Sequence, residues 1–240
     1  MKYIMVLVLL AHLTININAQ PNPYNPNKYQ EIWAPVPRLV DSGTDDKAPP
    51  SDAIVLYDGA DLDQWVSTRS GQEVQWTNED NILTVAPKTG SIRTKQEFGD
   101  CQLHIEWRTP AVVEEETGQK RGNSGVYLQS RYEVQVLDSY NNRTYSNGQA
   151  ASIYKQHIPL VNASRKPGVW QTYDIIFTAP KFNADSIKVS SGRVTVLHNG
   201  VLVQNNVELK GVAPHGKAPL MLQDHSDLVS FRNIWIRELE

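Results

Sequence analysis

The sequence contains one cysteine, no long uninterrupted apolar run, no block of basic residues and no extended helical periodicity. With Cys101 alone, no internal disulfide can form. Cys101 opens a strand-like run and reads as a small buried residue rather than a nucleophile. The apolar stretch Ile4–Leu13, interrupted by His12, is too short to cross a bilayer. Lys and Arg number 23 against 26 Asp and Glu, so the net charge is −3 and nothing points to a nucleic-acid partner. No set of His, Cys, Asp or Glu has a diagnostic metal-ligand spacing, so no metal or other cofactor is expected. Without a 3.6-residue pattern, a helical bundle is excluded.

The first residues carry a basic Lys2, the apolar stretch, and Ile17 and Ala19 ahead of a cut before Gln20. This is the pattern of a cleaved secretory signal, and it predicts export to the periplasm or beyond, with no membrane span after cleavage. The expected organisation is a signal over residues 1–19, a Pro/Asn-rich arm or linker over 20–51, and one folded domain over 52–240. About 190 residues suffice for a single domain with a real core.

From Ala53 onward, short runs of β-branched and aromatic residues alternate with Gly, Asn and Asp turns. CQLHIEWRT (101–109) places Leu103, Ile105 and Trp107 on one face and His104, Glu106 and Arg108 on the other. RYEVQVLDS (131–139) sets Tyr132, Val134 and Val136 against Glu133 and Gln135. RVTVLHNGVLVQN centres on Asn199-Gly200, the signature of a two-residue hairpin turn. Many closely spaced short strands predict an all-β sandwich or barrel. Trp107 and Trp235 fall on apolar faces and are read as core; Trp65, Trp76 and Trp170 lie near strand ends, where core or edge packing is the first reading and stacking on a sugar the alternative.

The concentrated polar faces carry the functional reading. Residues two apart on a strand stand about 6.6 Å from one another on one face. Such a face is either a solvated exterior or a sugar-binding hollow. Glu133 and Asp138 fall on opposite faces of a regular strand, so a glycosidase pair at roughly 5–9 Å needs two strands, such as Glu106 with Glu133, or a bend before Asp138. GNSGV (122–126) sets Asn123 between glycines, as a turn or as a close approach to ligand. QDH (223–225) ends a strand with three polar groups, and a histidine such as His225 offers a base or an acid near neutral pH, or a plain surface residue.

The segments YDGADLDQW, GNSGVYLQSRYEVQVLDSY, IYKQH with KPGVWQTYDIIF, RVTVLHNGVLVQ, and PLMLQDH with VSFRNIWIREL agree in order with one family. Over residues 53–239 the chain resembles the 3-keto-disaccharide hydrolases. The resemblance implies an all-β, concanavalin-A-like jelly-roll sandwich of two antiparallel sheets, export, and action on an oligosaccharide or glycoside oxidised at C3, by hydrolysis or by 1,2-elimination and hydration. It carries Glu133, Gln135, Asp138, Gln223, Asp224 and His225 over as site residues. The family often has Gly after QDH, where this chain has Ser226.

The chemistry asks for a base, a stabiliser of an enolate, and an acid. The expectation is His225 or Glu133 as base, Arg108 or Arg131 at the enolate, and Glu106 or Asp138 as acid. Asn123, Gln135, Gln223 and Asp224 bind substrate. Glu106, Glu133 and His225 are expected to converge in one hollow. A non-catalytic sugar-binding module and a conventional glycosidase are the alternatives on the same fold.

Overall fold

The structure is a computed structural model that describes residues 31–45, 47–111 and 117–239. The signal read at 1–19 and the first part of the arm lie outside them. The described residues up to Leu39 belong to a separate unit, and the sandwich is built from Val40 onward.

Fifteen strands are formed by the described residues: β1 (Ile54–Tyr57), β2 (Trp65–Ser67), β3 (Thr77–Glu79), β4 (Ile82–Thr84), β5 (Ile92–Phe98), β6 (Cys101–Arg108), β7 (Ser124–Leu128), β8 (Tyr132–Val136), β9 (Gln171–Thr178), β10 (Lys181–Phe182), β11 (Lys188–Ser190), β12 (Arg193–His198), β13 (Val201–Glu208), β14 (Ala218–Leu222) and β15 (Ser230–Glu238). One sheet runs β13-β12-β9-β6-β15-β4-β3, with β1 also paired to β15. The other runs β2-β5-β14-β7-β8. All the pairings are antiparallel. β10 and β11 form a separate ribbon. This is the two-sheet, concanavalin-A-like jelly-roll sandwich. No helix among the described residues is long and apolar enough to cross a membrane.

Alternation builds the core. Leu103, Ile105 and Trp107 of β6 and Tyr173, Ile175 and Phe177 of β9 meet Val126, Leu128, Val134, Val136, Leu220 and Leu222 of the facing sheet. Each such side chain contributes about 1.5–3 kcal/mol by leaving water. The turns follow their residues. Asn199 and Gly200 both have positive φ, 53° and 79°, as the hairpin joining β12 to β13 requires. Asp80 and Asn81, at 53° and 60°, do the same between β3 and β4.

The tryptophans test that reading, and one of them corrects it. Trp65 and Trp76 are core residues, their indole N–H groups donating to the Leu56 and Gly90 carbonyls at 2.8 and 3.0 Å. Trp235 is buried on the outward side of its sheet: it pairs with His104 across β6 and stacks on its ring at 5.1 Å. The Lys47 carbonyl covers it, accepting from the Trp235 indole at 3.0 Å and from Asn233 at 3.1 Å. Cys101 is buried, and burial pushes its thiol up to about 12, so it is packed and inert.

Candidate functional site

Two strands with polar faces were read from the sequence, and they belong to different sheets. Glu106 lies on β6, opposite Leu103, Ile105 and Trp107; Glu133 lies on β8, opposite Tyr132, Val134 and Val136. Both inward sets face the same core, so the two carboxylates point away from each other on opposite exteriors of the sandwich. The expected convergence of Glu106, Glu133 and His225 is therefore corrected. Strand alternation tells which residues share a face, but not which sheet takes the strand.

The Glu106 face is closed by internal pairing. Arg232 donates to Glu106 Oε2 at 2.7 Å, and Asn233 donates to Oε1 at 3.2 Å. His104 Nδ1 lies 2.6 Å from Asp174 Oδ1, and its Nε2 lies 4.0 Å from Glu106 Oε1. Arg108 and Arg232 stack on Trp170, with guanidinium carbons 4.7 and 4.2 Å from the ring centre. Burial by itself would raise the Glu106 carboxyl. Hydrogen bonds from His104, Arg232 and Asn233, with the Arg232 charge, overcome it and hold the group at about 2. Glu106 stays ionised with every oxygen occupied, which does not suit an acid. Arg108 shares this face and so stands far from Glu133.

Asp138 is also engaged. Its Oδ2 accepts from Arg121 at 2.7 Å and its Oδ1 from the Tyr140 amide at 3.0 Å, with the carboxylate fully buried. It fastens the end of β8 to the Arg121 loop. Arg131 is exposed in the β7–β8 turn, where its amide donates to the Leu128 carbonyl at 3.0 Å. Asp224 Oδ2 accepts from the Gly90 amide at 2.8 Å and Oδ1 from the Ser226 amide at 2.9 Å, so it ties the end of β14 to the loop before β5. Ser226 has φ of 73°, the left-handed conformation in which glycine is at ease and other residues cost roughly 1–2 kcal/mol. His225 is exposed in this loop, two residues beyond Gln223.

The Glu133 face is different. Val66, Arg93, Met221, Tyr127 and Glu133 are successive cross-strand partners over β2, β5, β14, β7 and β8. They make one row along the outward side of the five-stranded sheet. Gly125 and Gln135 pair in the next row, and the Gln223 amide donates to the Gly125 carbonyl at 3.0 Å. A Cβ on Gly125 would lie 2.5 Å from Glu133 Oε1 and 2.9 Å from the Tyr127 ring. That glycine leaves room for the carboxylate.

Around Glu133 the groups form a chain. Gln223 Nε2 donates to the Tyr127 hydroxyl at 3.1 Å, and that hydroxyl bonds the Glu133 carboxylate. The Gln135 amide sits 3.1 Å from Gln119 Oε1 and 3.0 Å from Glu133 Oε1. Asn123 backs this arrangement, donating to the Gln119 carbonyl at 2.7 Å. Tyr154 donates its backbone N–H to the Glu133 carbonyl at 3.0 Å, and its hydroxyl lies 2.5 Å from that of Tyr145. Lys155 follows it in sequence, exposed.

Burial raises the Glu133 carboxyl to about 7, against the opposing pull of the Tyr127 hydrogen bond and the Lys155 charge. No second carboxylate is among these influences. Burial and then the neighbouring Glu133 charge push Tyr127 well above the usual phenol range, so it remains a donor. Gln223 Oε1 is buried without a hydrogen-bond partner among the described residues, leaving an acceptor in the row. A hollow of about 440 Å³ lies at the other end of this row, beside β2 and β5, lined by Asp63, Val66, Glu73 and Lys95 among others.

Of the residues read from sequence, the fold brings Glu133, Gln135, Gln223 and Asn123 together. It adds Tyr127, Tyr145, Tyr154, Lys155 and Gln119, which that reading missed. Tyr127 was accessible to it: alternation along β7 puts Gly125 and Tyr127 opposite Val126 and Leu128. Tyr145 and Tyr154 arrive on irregular chain, where no periodicity speaks.

A family model described as 3-keto-alpha-glucoside-1,2-lyase-like matches residues 52–237. A crystal structure of a Parabacteroides distasonis protein, described as a candidate glycosyl hydrolase, is 49% identical to this chain. The match covers 92% of this chain and 100% of that one, with a TM-score of 0.83. Two further candidate glycosyl hydrolases of the same organism share the fold at 18% and 20% identity. They cover 84% and 78% of this chain and 100% and 99% of their own, with TM-scores of 0.60 and 0.54. Among curated proteins none matches.

Proposed function

The chain belongs to the 3-keto-alpha-glucoside-1,2-lyase-like family, and from that premise we propose that it is an enzyme cleaving glycosides already oxidised at C3, with Glu133 as its base. The observation that carries this reading is the state of Glu133. It is a desolvated carboxyl raised to about 7, bonded by a tyrosine hydroxyl and in no ion pair among the described residues. A base whose proton affinity lies near working pH is the most effective one.

A ketone at C3 acidifies the C2 hydrogen. Glu133 removes that proton, and the electron pair moves through C2 onto the C3 oxygen as an enolate. Lys155 supplies positive charge for this oxygen. Collapse of the enolate restores the ketone, forms the C1–C2 double bond and breaks the bond from C1 to the departing oxygen. Tyr154, bonded to Tyr145, protonates that oxygen. Water then adds across the double bond: its hydroxyl goes to C1, Glu133 returns its proton to C2, and the proton left from water restores the Tyr154 hydroxyl, so the sum is hydrolysis. Gln135 and Gln223 orient the ring.

A conventional retaining or inverting glycosidase is disfavoured, since it needs a second carboxyl at roughly 5–9 Å. The test is to supply a glucoside and its 3-keto counterpart and analyse products. Cleavage of the keto form alone is expected, abolished in Glu133→Gln. Cleavage of the plain glucoside would return the protein to ordinary glycosidases, and binding without products to sugar-binding modules. The reading includes export, supported by Lys2, the apolar stretch and Ala19. Mass spectrometry of protein recovered outside the cytoplasm should then find Gln20 as its first residue.

A further inference from the structure

Arg93 stands in the same row as Glu133. Among the described residues it is the one half-buried arginine whose side chain has no hydrogen-bond, ion-pair or aromatic partner. Arg121 is paired with Asp138, Arg232 with Glu106 and Arg237 with Asp52, while Arg108 lies over Trp170. The neighbours of Arg93 across the sheet are Val66 on β2 and Met221 on β14. Two apolar flanks keep water from its sides, and a guanidinium so placed binds an anionic fork more strongly than one free in solvent. On its own strand, Lys95 and Glu97 share its face and are exposed. Asp63 and Glu73 line the hollow beyond it together with Lys95. None of these carboxylates pairs with Arg93.

Three strand-to-strand steps of about 4.8 Å put Arg93 Cα about 14 Å from Glu133 Cα. Between them lie Met221 and the Tyr127 ring, an apolar platform on which a sugar can rest. Arg93 is also absent from the groups that act on the Glu133 proton, so the two charged heads stand well apart.

We propose that Arg93 is a specificity residue that binds a carboxylate on the substrate, on the unit next to the ring that Glu133 deprotonates. The preferred substrates are then acidic glycosides, with a planar carboxylate meeting the guanidinium through two parallel hydrogen bonds. This rests on the reading of the Glu133 face as the substrate face, and it is testable without turnover.

The probes are two plain disaccharides, cellobiose and its analogue with a glucuronic acid unit, measured by calorimetry at low and at moderate salt. The wild-type protein should bind the acidic disaccharide at least tenfold more tightly, and the margin should shrink as salt rises. R93Q should erase the preference and R93K should keep part of it, since lysine retains the charge but not the fork. Equal binding of both sugars by the wild-type protein overturns the inference, as does no measurable binding of either, or an unchanged preference in R93Q. If R93Q does not fold, the wild-type comparison and R93K decide. Turnover of a 3-keto-glucoside is a separate measurement, so loss of the catalytic reading and loss of the acid preference are told apart.

Discussion

Glu106 and Glu133 sit on the two outward faces of one sandwich, and each is flanked by polar groups. They differ in what those groups are. Glu106 meets cations, and its carboxyl is held at about 2. Glu133 meets two tyrosines, an amide and a single exposed lysine, and its carboxyl is raised to about 7. Burial pushes both upward; only the first has enough positive charge to overcome it. A paired carboxylate is a structural part, while a desolvated one without an ion pair is equipped to exchange a proton. Two polar strand faces that look alike in sequence therefore have different uses.

The largest effect that tests this contrast is Glu133→Gln. Turnover of a 3-keto-glucoside should fall about 10²–10⁴-fold, the usual contribution of a general base. The same variant tests the electrostatics. The folded-state value of Glu133 lies above its ordinary 4.5, so the folded protein binds the extra proton and its stability falls as pH rises from 4.5 to about 7. Glutamine removes that penalty. Thermal unfolding should show the variant gaining on wild type over that window, toward a limit of about 3 kcal/mol. A flat difference between variant and wild type across those pH values would mean that Glu133 titrates as an ordinary surface acid. Next in size is Gly125→Ala. The new methyl would lie within 2.5 Å of Glu133 Oε1 and 3.0 Å of its Cγ. The Tyr127 ring stands at 2.9 Å as well; the Glu133 carboxylate is the movable end of these contacts, so it shifts while the ring and the Cγ give by a few tenths of an ångström. A displacement of about 1 Å costs about 10²-fold in rate, read as lost turnover with an unchanged circular dichroism spectrum.

On the opposite face, Glu106→Gln should leave turnover near wild type and cost stability instead. Arg232 would lose its ion pair and His104 its nearby anion. Breaking a fully buried pair costs about 3–5 kcal/mol. Arg232 is 39% exposed, and solvent recovers part of that loss, so about 1–3 kcal/mol is expected from denaturant unfolding at pH 7. The pH sign is the reverse of that for Glu133. The Glu106 value is depressed, so its contribution is complete above 4.5 and is lost as pH falls toward 2. The gap between variant and wild type should close in that range. A large loss of turnover in this variant would erase the distinction between the two faces.

Much of the fold was legible because it rests on local signals. The Asn199-Gly200 turn, the alternation along β6 and the interruption of every helical pattern follow from residue types and a period of two. Glu133, Gln135 and Gln223 were legible on the same grounds, joined to the resemblance. The sheet that receives each strand was not, since β6 and β8 show the same alternation and are separated in the fold by the whole core. The role of Asp138 was hidden for a related reason. Its partner Arg121 lies 17 residues earlier on irregular chain, and their ion pair exists only once β8 has been placed. Trp235 shows the limit of reading apolar as inward: the Lys47 segment buries it from outside.

The finest probe of the Glu133 face is Tyr127→Phe. The hydroxyl of Tyr127 donates to the carboxylate, favours its ionised form and so holds the raised value down. Removing the donor leaves burial opposed by Lys155 alone, and the carboxyl must rise further above about 7. Hydrogen bonds to charged groups contribute about 1.5–3 kcal/mol, and water entering the vacated space recovers part of it, so a rise of up to about one pH unit is expected. The acidic limb of the pH–rate profile should move upward by that amount, with turnover low at pH 7 and largely restored above pH 8. Gln223 loses its acceptor in the same variant, so substrate orientation and KM should change a little as well. A limb that stays in place while turnover falls equally at every pH would make Tyr127 a binding group and leave the proton affinity of Glu133 to burial and Lys155.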